Sequence, residues 1–512
     1  MNKSDFVKYF LDRGVIVSQK LLDSIQNDCD FSELCKRMEE RLENEKIFIL
    51  DSNFVLSSEV ESNSGVQVVE STGNFKDSLN NVNVLFSYDK EFKKKEVKDF
   101  VGYFRSRYNK LKNILSSRQE LQESISIVRC SRKQPGDSVS IIGLVFNKSE
   151  TKNGNIRLSI EDTTGIIDII ITKTNQELYS AARDVVHDEV VGVNGVMGNG
   201  IIFCRNIYFP DIPITHEFKK LPDEVYAVFI SDIHFGIKNF LSSDFMKFVK
   251  WIRGEYGSER QREIAEKVGY LFVTGDVVEG IGIYPGQEED LEIKDIYGQY
   301  KEAARHFRMI PERIKVIMCG GNHDAMRISE PQPLFDRRIS GDFYELKNMT
   351  IVSNPAVVNI HSSGDFPGFN VLMYHGFSFP FFGSTVPSIS EKGGIFRSDL
   401  IMKYLLQKRH LSPTHGSNLY VPDESDDPMV ISVIPDIFVS GHIHQIATGN
   451  YRNVTIINSS CWVTQSEDQA RRGIVPHPSK IPIINLKTRE IKIMNFLDDN
   501  VKVLVSERRG LK

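Results

Sequence analysis

The amino-acid sequence predicts a multidomain protein, in which a small β domain precedes a larger layered α/β domain. The chain has 512 residues, which corresponds to about three domains at roughly 100–200 residues each. Apolar residues alternate with a period of two over residues 121–215, as they do in strands. From residue 216 to residue 512, apolar strand candidates alternate with helical stretches, which is typical of layered α/β domains.

The composition excludes several classes of protein. Hydrophobic residues make up 40% of the chain and charged residues 26%, so it is neither disordered nor fibrous. The 63 Lys and Arg residues against 68 Asp and Glu residues give a net charge of −5. This charge argues against binding nucleic acid by bulk electrostatics alone, although a local basic groove stays possible.

Location and redox compartment follow from what the sequence lacks. No apolar run approaches the roughly 18 residues of a membrane span, and Asp5 and Lys8 interrupt any signal-peptide pattern. We therefore predict a cytoplasmic protein without a membrane partner. The six cysteines include no C-x-x-C pair, which fits a reducing compartment and excludes a zinc site made of cysteines.

The first 120 residues divide into three predicted segments. Residues 1–50 carry apolar residues near helical spacing and are expected to form a small helical region. Residues 51–82 are rich in Ser, Asn and Gly and are expected to form a flexible linker. Residues 83–120 predict a charged connecting helix, whose lysines either touch a phosphate backbone or form a solvated face.

The predicted β domain covers residues 121–215. Five short strand candidates are separated by turns, and one helix candidate precedes the last two strands. This order is typical of a small closed barrel of the oligonucleotide-binding (OB) type. A small sandwich would give much the same pattern, so both architectures remain open at this point.

The predicted α/β domain, residues 216–512, concentrates the chemistry of the chain. Five of its strand candidates end in a polar cluster, and in an α/β sheet ligands bind beyond the carboxyl ends of the strands. The clusters are Ser231-Asp232-Ile233-His234, Gly275-Asp276, Gly321-Asn322-His323-Asp324, His375-Gly376 and Gly441-His442-Ile443-His444. We therefore expect these side chains to meet in one crevice.

The residue types in the clusters indicate a metal site. Imidazole and carboxylate ligands without thiols suit Mn, Fe, Zn or Co better than Ca. Two ions about 3.5–4 Å apart need a bridging carboxylate with ligands on either side, and the set is large enough for this. Each cluster alone has an ordinary explanation, since a lone histidine is often structural and Gly-Asn often forms a turn. Five such clusters in order are not expected by chance.

The series D-x-H, G-D, G-N-H-D, H and G-H-x-H resembles the signature of the calcineurin-like metallophosphoesterase superfamily. The resemblance implies two sets of metal ligands that share Asp276. One set is Asp232, His234, Asp276 and His444, and the other is Asp276, Asn322, His375 and His442. It also implies that His323 stabilises or protonates the leaving oxygen, and that Asp324 orients the His323 ring.

The cofactor implied by this resemblance is a pair of divalent metal ions. Mn²⁺ is the expected ion because the site is rich in imidazole, while Mg²⁺, Fe²⁺ and Zn²⁺ are alternatives. The implied reaction is two-metal hydrolysis of a phosphoester, in which both ions neutralise charge that develops on the phosphoryl oxygens. The superfamily as a whole would permit a protein phosphatase, a nucleotide phosphatase or a nuclease.

Longer stretches narrow this choice. Three stretches resemble the small-subunit family of archaeal D-family DNA polymerases. They are GDVVEGIGIYPGQEEDLEIKDIYGQY after the second cluster, GNHDAMRISEPQPLF, which extends the third cluster, and NSSCWVTQSEDQ near the end of the chain. The resemblance spans roughly residues 85–500. It implies a proofreading 3′→5′ exodeoxyribonuclease that acts on DNA with a single-stranded or mismatched 3′ end. It also implies a large catalytic subunit as partner, and the N-terminal helices are a place where other replication proteins could bind.

Two rival functions stay open. The related eukaryotic B-subunits have lost metal ligands and act as scaffolds, so a non-enzymatic assembly subunit with an idle metal site is the first rival. Every ligand position is filled in this sequence, which speaks against it. The second rival is a stand-alone phosphatase on small monoesters, which the fused barrel and the charged helix disfavour.

DNA contacts are predicted at three further residues. Arg327 follows the third cluster, where it would clamp a phosphate or form a surface ion pair. Phe377 and Phe379 follow the fourth cluster, where they would stack on an unpaired base. Packing of these phenylalanines at a subunit interface is the alternative.

Overall fold

A computed structural model gives the structure of the chain. It describes residues 81–497 except 91, 92, 365 and 472, together with residues 10, 16–17, 49–50 and 502–505. The chain divides into two compact units, Met1–Asn74 and Phe75–Lys512. In the first unit two short parallel strands are described, β1 (Ile16–Val17) and β2 (Ile49–Leu50). The predicted helical region 1–50 and linker 51–82 otherwise lie outside the described residues.

The segment predicted as a connecting helix, residues 83–120, contains a strand as well as a helix. Strand β3 (Val82–Ser87) comes first and helix α1 (Val97–Ser116) follows. The strand pairs antiparallel with Ala356–Ile360, which lies about 270 residues further along the chain. The strand was missed because its partner is so distant and its own apolar run is short.

Helix α1 begins at a capping box in which Glu96 and Asp99 bond each other's backbone N–H groups. Its buried residues recur every three or four positions and form one face of the helix. They are Tyr103, Arg107, Tyr108, Leu111 and Leu115.

The β domain is a closed five-stranded barrel with strand order β4-β5-β6-β8-β7. Its strands are β4 (Ser138–Glu150), β5 (Ile156–Asp162), β6 (Gly165–Ile171), β7 (Val190–Met197) and β8 (Ile201–Tyr208). A 3₁₀ turn and two helices accompany them: Gln119–Leu121, α2 (Ile127–Cys130) and α3 (Gln176–Arg183). Because β6 pairs with β8 and β4 pairs with β7, the sheet closes on itself, which rules out the sandwich.

The α/β domain is built on two sheets. The first has the order β12-β11-β10-β9-β18-β19-β20 and the second the order β16-β17-β15-β14-β13-β3. The strands of the first are β9 (Tyr226–Ile230), β10 (Val268–Thr274), β11 (Lys315–Cys319), β12 (Met349–Ile351), β18 (Lys480–Asn485), β19 (Ile491–Asn495) and β20 (Lys502–Val505). Those of the second, besides β3, are β13 (Ala356–Ile360), β14 (Phe369–Met373), β15 (Ile437–Ser440), β16 (Ala447–Tyr451) and β17 (Val454–Asn458).

Helices cover the outer faces of the two sheets. Those packed on the first sheet are α4 (Ser242–Ile252), α5 (Glu259–Glu266), α6 (Ile296–Phe307) and α7 (Arg337–Tyr344). Those packed on the second are α8 (Phe379–Thr385), α9 (Pro387–Ser390) and α10 (Ser398–Lys408). Helix α11 (Glu467–Arg471) and the 3₁₀ turns Gln287–Glu289 and Gly394–Phe396 lie in loops.

The central strands are apolar on both faces because each face meets a different layer. In β9, Val228 and Ile230 pack under the helices of the first sheet, whereas Ala227 and Phe229 pack between the two sheets. In β15, Phe438 faces α8 and α10, while Val439 joins the core between the sheets. The result is a helix–sheet–sheet–helix sandwich, as the alternation of strands and helices predicted.

The barrel and α1 are joined to the α/β domain through buried ion pairs. Arg107 Nε donates to Asp427 Oδ2 at 2.7 Å, and Lys408 Nζ lies 2.6 Å from Glu189 Oε2. All four side chains are almost fully buried. Among the residues that the structure describes, no helix is long and apolar enough to cross a membrane.

Candidate metal centre

The five polar clusters meet at one point, where strands of both sheets end. Each cluster begins within two residues of the end of its strand, so the strand fixes where its side chains lie. The strands and the first candidate ligand after each are β9 with Asp232, β10 with Asp276, β11 with Asn322, β14 with His375 and β15 with His442. The side chains therefore converge, as expected from the sequence.

Five of the candidate ligand residues have a left-handed backbone, which non-glycine residues seldom adopt. Their φ angles are 49° for Asp232, 57° for His234, 49° for Asp276, 68° for His442 and 57° for His444. Backbone hydrogen bonds hold this geometry, since the N–H groups of Asp232 and His234 donate to the carbonyls of Gly275 and Asp276.

The glycine at position 321 in the third cluster is required because no side chain would fit there. A Cβ atom at Gly321 would lie 2.3 Å from Oδ1 of Asp276, which is far inside van der Waals contact. The backbone can therefore approach the Asp276 carboxylate only if this residue has no side chain.

The first half-site is formed by Asp232, His234 and His444, whose ligand atoms all lie within 4.8 Å of one another. His444 Nε2 is 3.3 Å from Asp232 Oδ1 and 3.2 Å from His234 Nε2. A side chain lies close to the outer nitrogen of each ring. His234 Nδ1 lies 2.8 Å from Glu279 Oε2, and His444 Nδ1 lies 3.0 Å from Gln469 Nε2.

The second half-site is formed by Asp276, His375 and His442, which also lie within 4.8 Å of one another. His375 Nε2 is 3.2 Å from Asp276 Oδ2 and 3.0 Å from Asn322 Oδ1. Here the outer ring nitrogen of His375 contacts the backbone, at 2.9 Å from the carbonyl oxygen of Thr274.

Asp276 lies between the two half-sites. Its Oδ2 atom is 3.2 Å from His375 Nε2 and 4.0 Å from His234 Nε2. Its Oδ1 atom accepts a hydrogen bond of 2.8 Å from the backbone N–H of His323. One oxygen is thereby fixed by the backbone, while the other faces histidines of both half-sites, as a carboxylate that bridged two ions would have to do.

This donor set fits a pair of divalent cations. Imidazole nitrogens and carboxylate oxygens converge from several sides, and Nε2 of His234 faces Nε2 of His444 at only 3.2 Å. Carboxylates and neutral imidazoles are the ligands of first-row divalent ions. Of the candidate ligands, Asp232, Asp276 and His375 are buried, whereas Asn322, His442 and His444 are partly exposed, so solvent reaches part of the centre.

The pKa values of the centre reflect the carboxylates that lie close to its imidazoles. Burial alone would lower the pKa of His375, but the charge of Asp276 raises it to about 10. The same balance raises the pKa of His323 to about 9. The pKa of Asp276 lies well below its usual value despite burial, because these imidazoles favour its ionised form. Metal binding requires neutral imidazole, so cations would replace these protons.

The structure assigns different partners to His323 and Asp324 from those expected. Glu279, and not Asp324, contacts the His323 ring, whose Nδ1 is 3.1 Å from the Glu279 carbonyl oxygen and 3.5 Å from its Oε2. The Asp324 carboxylate accepts backbone N–H groups of Gly321 and Val278 at 2.8 and 3.2 Å.

Asp324 therefore organises the loops around the centre. Its Oδ1 also accepts from the Tyr300 hydroxyl at 3.3 Å. Burial, together with the charge of Asp276, raises the pKa of Asp324 to about 7. The Asp324 carboxylate thus turns toward the strand ends and not toward the His323 ring, which it was expected to orient.

The three residues expected to contact DNA lie in different settings. Phe379 is fully buried in the core under the second sheet, so stacking on a base is excluded in this conformation. The Arg327 guanidinium donates to the Pro331 carbonyl at 2.6 Å and lies over the Tyr88 ring. The guanidinium is therefore already engaged by contacts within the protein. Phe377 is half-buried and packs edge-on against His442, with ring centroids 5.7 Å apart.

Two residues that contact the candidate ligands were missed from the sequence. Glu279 is a carboxylate only three positions after Asp276, and its place beyond a strand end was a usable signal. Gln469 lies in the short helix α11 near the C-terminus, and no local pattern pointed to it.

The fold and the donor set together are those of a metallophosphoesterase domain. In agreement with this, residues 226–446 match the calcineurin-like phosphoesterase family. That range contains both half-sites and His323.

Relatives that match about three quarters of the chain define the family more narrowly. The chain is 42% identical over 390 residues to the DNA polymerase II small subunit of Methanothermobacter thermautotrophicus, covering 76% of this chain and 78% of that protein. It is 41% identical over 387 residues to the protein of that name from Archaeoglobus fulgidus, covering 76% and 75%. For the Halobacterium salinarum protein the identity is 34% over 404 residues, covering 78% and 75%. The chain thus belongs to the family of DNA polymerase II small subunits, as the sequence motifs indicated.

Proposed function

We propose that this chain is a metal-dependent 3′→5′ exodeoxyribonuclease that proofreads as the small subunit of a D-family DNA polymerase. The observation that carries the proposal is the complete pair of half-sites around Asp276, with no ligand position replaced. A subunit kept only as a scaffold would have no need for both sets. The names of the relatives, which call them small subunits, support a large catalytic subunit as partner.

Two divalent ions, Mn²⁺ being the best suited, would be held by Asp232, His234, Asp276 and His444 and by Asp276, Asn322, His375 and His442. When bound, they supply an acidified water and neutralise charge on the phosphoryl oxygens. The protein's own part is to fix Asp276 through the His323 N–H and to place the His323 ring at the open side. From there His323 donates a proton to the leaving 3′ oxygen.

The preferred DNA end would be a mispaired one. The centre opens on one side only, so a 3′-terminal nucleotide must leave the duplex to reach it. Unpairing costs less free energy at a mismatch than at a matched pair. Phe377 beside His442 is the remaining candidate for stacking on the unpaired base, because its ring lies next to a ligand and is partly exposed.

The barrel is proposed to be of the OB type with a mainly structural role. Its closed five-stranded order with a helix between the third and fourth strands supports the OB type. Its buried ion pair with the α/β domain, Glu189 with Lys408, supports the structural role. Alanine substitutions on the barrel should then weaken assembly with the large subunit more than cleavage of short single strands.

The test uses the purified chain, Mn²⁺ and a 5′-labelled DNA primer that is matched or mismatched at its 3′ end. We expect a ladder from the 3′ end in the wild type, faster on the mismatch. The ladder should be absent in Asp276→Ala and strongly reduced in His323→Ala.

Cleavage only after adding the large subunit would mean that assembly with the large subunit activates the enzyme. No cleavage in either state would contradict the proposal and leave a scaffold. Turnover of a phosphate monoester without DNA cleavage would point to a phosphatase instead.

A further inference from the structure

Two buried amide side chains, Gln332 and Asn354, connect the third and fourth polar clusters. Gln332 Nε2 donates to the carbonyl oxygen of Gly321 at 3.0 Å, and Asn354 Oδ1 accepts from the His375 N–H at 2.8 Å. Between these two contacts, Asn354 Nδ2 donates to Gln332 Oε1 at 2.7 Å. Gln332 is 2% exposed and Asn354 is fully buried, so water does not compete for these hydrogen bonds. We call this pair of side chains the amide bridge.

The orientation of both amides follows from their backbone partners. A backbone N–H only donates, so the atom of Asn354 that faces the His375 N–H is its oxygen. A backbone carbonyl only accepts, so the atom of Gln332 that faces the Gly321 carbonyl is its nitrogen. The other nitrogen and the other oxygen then meet as donor and acceptor in the middle of the bridge. The two amides therefore match each other in one arrangement.

The amide bridge ends at residues that set the geometry of the second half-site. One end is bonded to Gly321, which directly precedes Asn322, and the other end is bonded to His375 itself. The side chains of these two candidate ligands lie 3.0 Å apart, from Asn322 Oδ1 to His375 Nε2. They follow strands β11 and β14, which belong to different sheets. The bridge therefore links the two sheets at the metal centre.

The buried carboxyl group of Glu330 holds the turn that carries His375. Its Oε2 accepts from the Tyr374 hydroxyl at 2.9 Å, and its Oε1 lies 3.5 Å from Asn354 Nδ2. The Tyr374 hydroxyl in turn accepts from the Ser378 N–H at 3.1 Å. Because Tyr374 precedes His375 and Ser378 follows it, these contacts fix the backbone on either side of this candidate ligand.

We propose that Gln332, Asn354 and Glu330 are positioning residues that keep Asn322 and His375 at the spacing a metal ion requires. Their polar atoms face the backbone and one another, so they act through the candidate ligands and not as ligands themselves. Glu330 and Gln332 belong to the stretch GNHDAMRISEPQPLF, which thereby gains a role beyond its ligand Asn322. The proposal concerns metal binding and does not depend on the nuclease function.

The test is a calorimetric titration of Mn²⁺ into the full chain and into two variants of similar side-chain size, Gln332→Met and Asn354→Leu. We expect the dissociation constant of one of the two ions to rise by about 10–100-fold in each variant. The backbone hydrogen bonds between residues 332 and 354 are kept in both, so the loss would come from the side chains. Glu330→Gln, which keeps the size and one acceptor, should have a smaller effect.

Two further backgrounds identify the ion that is affected. His442→Ala removes a candidate ligand of the second half-site, and His234→Ala removes one of the first. Adding Gln332→Met should weaken binding of the ion that remains in His234→Ala and should not change binding of the ion that remains in His442→Ala. The reverse pattern, or no change in either background, would overturn the proposal.

Asn348 provides the control for a general loss of structure. It is a buried amide that donates to the Ile314 carbonyl at 2.9 Å, at the other end of strand β11. Asn348→Leu should lower the melting temperature about as much as Asn354→Leu does, but should bind Mn²⁺ like wild type. Equal weakening of Mn²⁺ binding in both variants would overturn the proposal, as would a wild type that binds no ion in the second half-site. Absence of DNA cleavage with intact Mn²⁺ binding would contradict the nuclease proposal alone.

Discussion

Two buried clusters of charged side chains differ in whether their charges are balanced inside the protein. One is the metal centre around Asp276. The other is the junction cluster of Arg107, His410 and Asp427, where α1 meets the α/β domain. In the junction cluster Asp427 Oδ2 accepts from Arg107 Nε at 2.7 Å and lies 2.8 Å from His410 Nε2. Every charge there has its partner.

The hydrogen bonds of His410 show how complete the junction cluster is. Its Nδ1 accepts from the Ser412 N–H at 2.9 Å, so the proton of the neutral ring sits on Nε2 and points at Asp427. In the metal centre, by contrast, Nε2 atoms and carboxylate oxygens face one another. The comparison teaches that a buried cluster with matched donors and acceptors stabilises the fold, whereas one with surplus acceptors is prepared for cations.

The largest expected effect separates the two clusters directly. Asp276→Ala removes the carboxylate between the half-sites and should lower DNA cleavage by about 10³-fold or more. The melting temperature of the metal-free protein should stay within about 4 °C, because the imidazoles whose pKa the Asp276 charge raises can become neutral once it is gone. Cleavage rates and thermal unfolding would check this. A large fall in melting temperature with retained cleavage would contradict the proposed difference between the two clusters.

The junction cluster should show the opposite pattern. Arg107→Ala leaves Asp427 buried without its cation and should cost about 3–5 kcal/mol of unfolding free energy. Arg105→Ala, an exposed position on the same helix, should change it by no more than about 0.5 kcal/mol. Urea unfolding measures both values. The Mn²⁺ affinity should be equal in the two variants, and a selective loss in Arg107→Ala would break the distinction.

The junction cluster also predicts a pH dependence of stability. Burial, helped by the nearby Arg107 charge, lowers the pKa of His410 from 6.5 to about 4. The unfolded state therefore binds more protons between these values, and the unfolding free energy should fall by about 2–3 kcal/mol from pH 6.5 to pH 4. His410→Gln should flatten this slope, while His187→Gln, at an exposed position, should leave it intact. An unchanged slope in His410→Gln would show that other groups cause it.

The smallest expected effect is stabilisation by the metal. Mn²⁺ at a concentration equal to its dissociation constant should raise the unfolding free energy by about 0.4 kcal/mol for each ion, because it binds the folded chain. A chelator should reverse the gain, and Asp276→Ala should show little of it. A gain of equal size in Asp276→Ala would place the stabilising ions elsewhere.

The parts of the fold that the sequence predicted are those with local signals. The alternation in residues 121–215 predicted the barrel, and the polar residues beyond five strands predicted the convergence around Asp276. Strand β3 and the Arg107–Asp427 pair were not predicted, because their partners lie hundreds of residues away.

The direction in which side chains point was the second feature that the sequence did not predict. The sequence places Asp324 next to His323, yet the carboxylate of Asp324 turns to backbone N–H groups and the ring turns to Glu279. Likewise, Phe379 follows the fourth cluster but points into the core. Neighbouring positions in sequence do not fix which way side chains point at the end of a strand.

The most direct measurement is an anomalous difference map from crystals of the full chain soaked in Mn²⁺. A two-ion centre predicts two peaks about 3.5–4 Å apart, one on each side of Asp276, and none beside Asp427. A single peak, no peak at Asp276, or a peak in the junction cluster would contradict it.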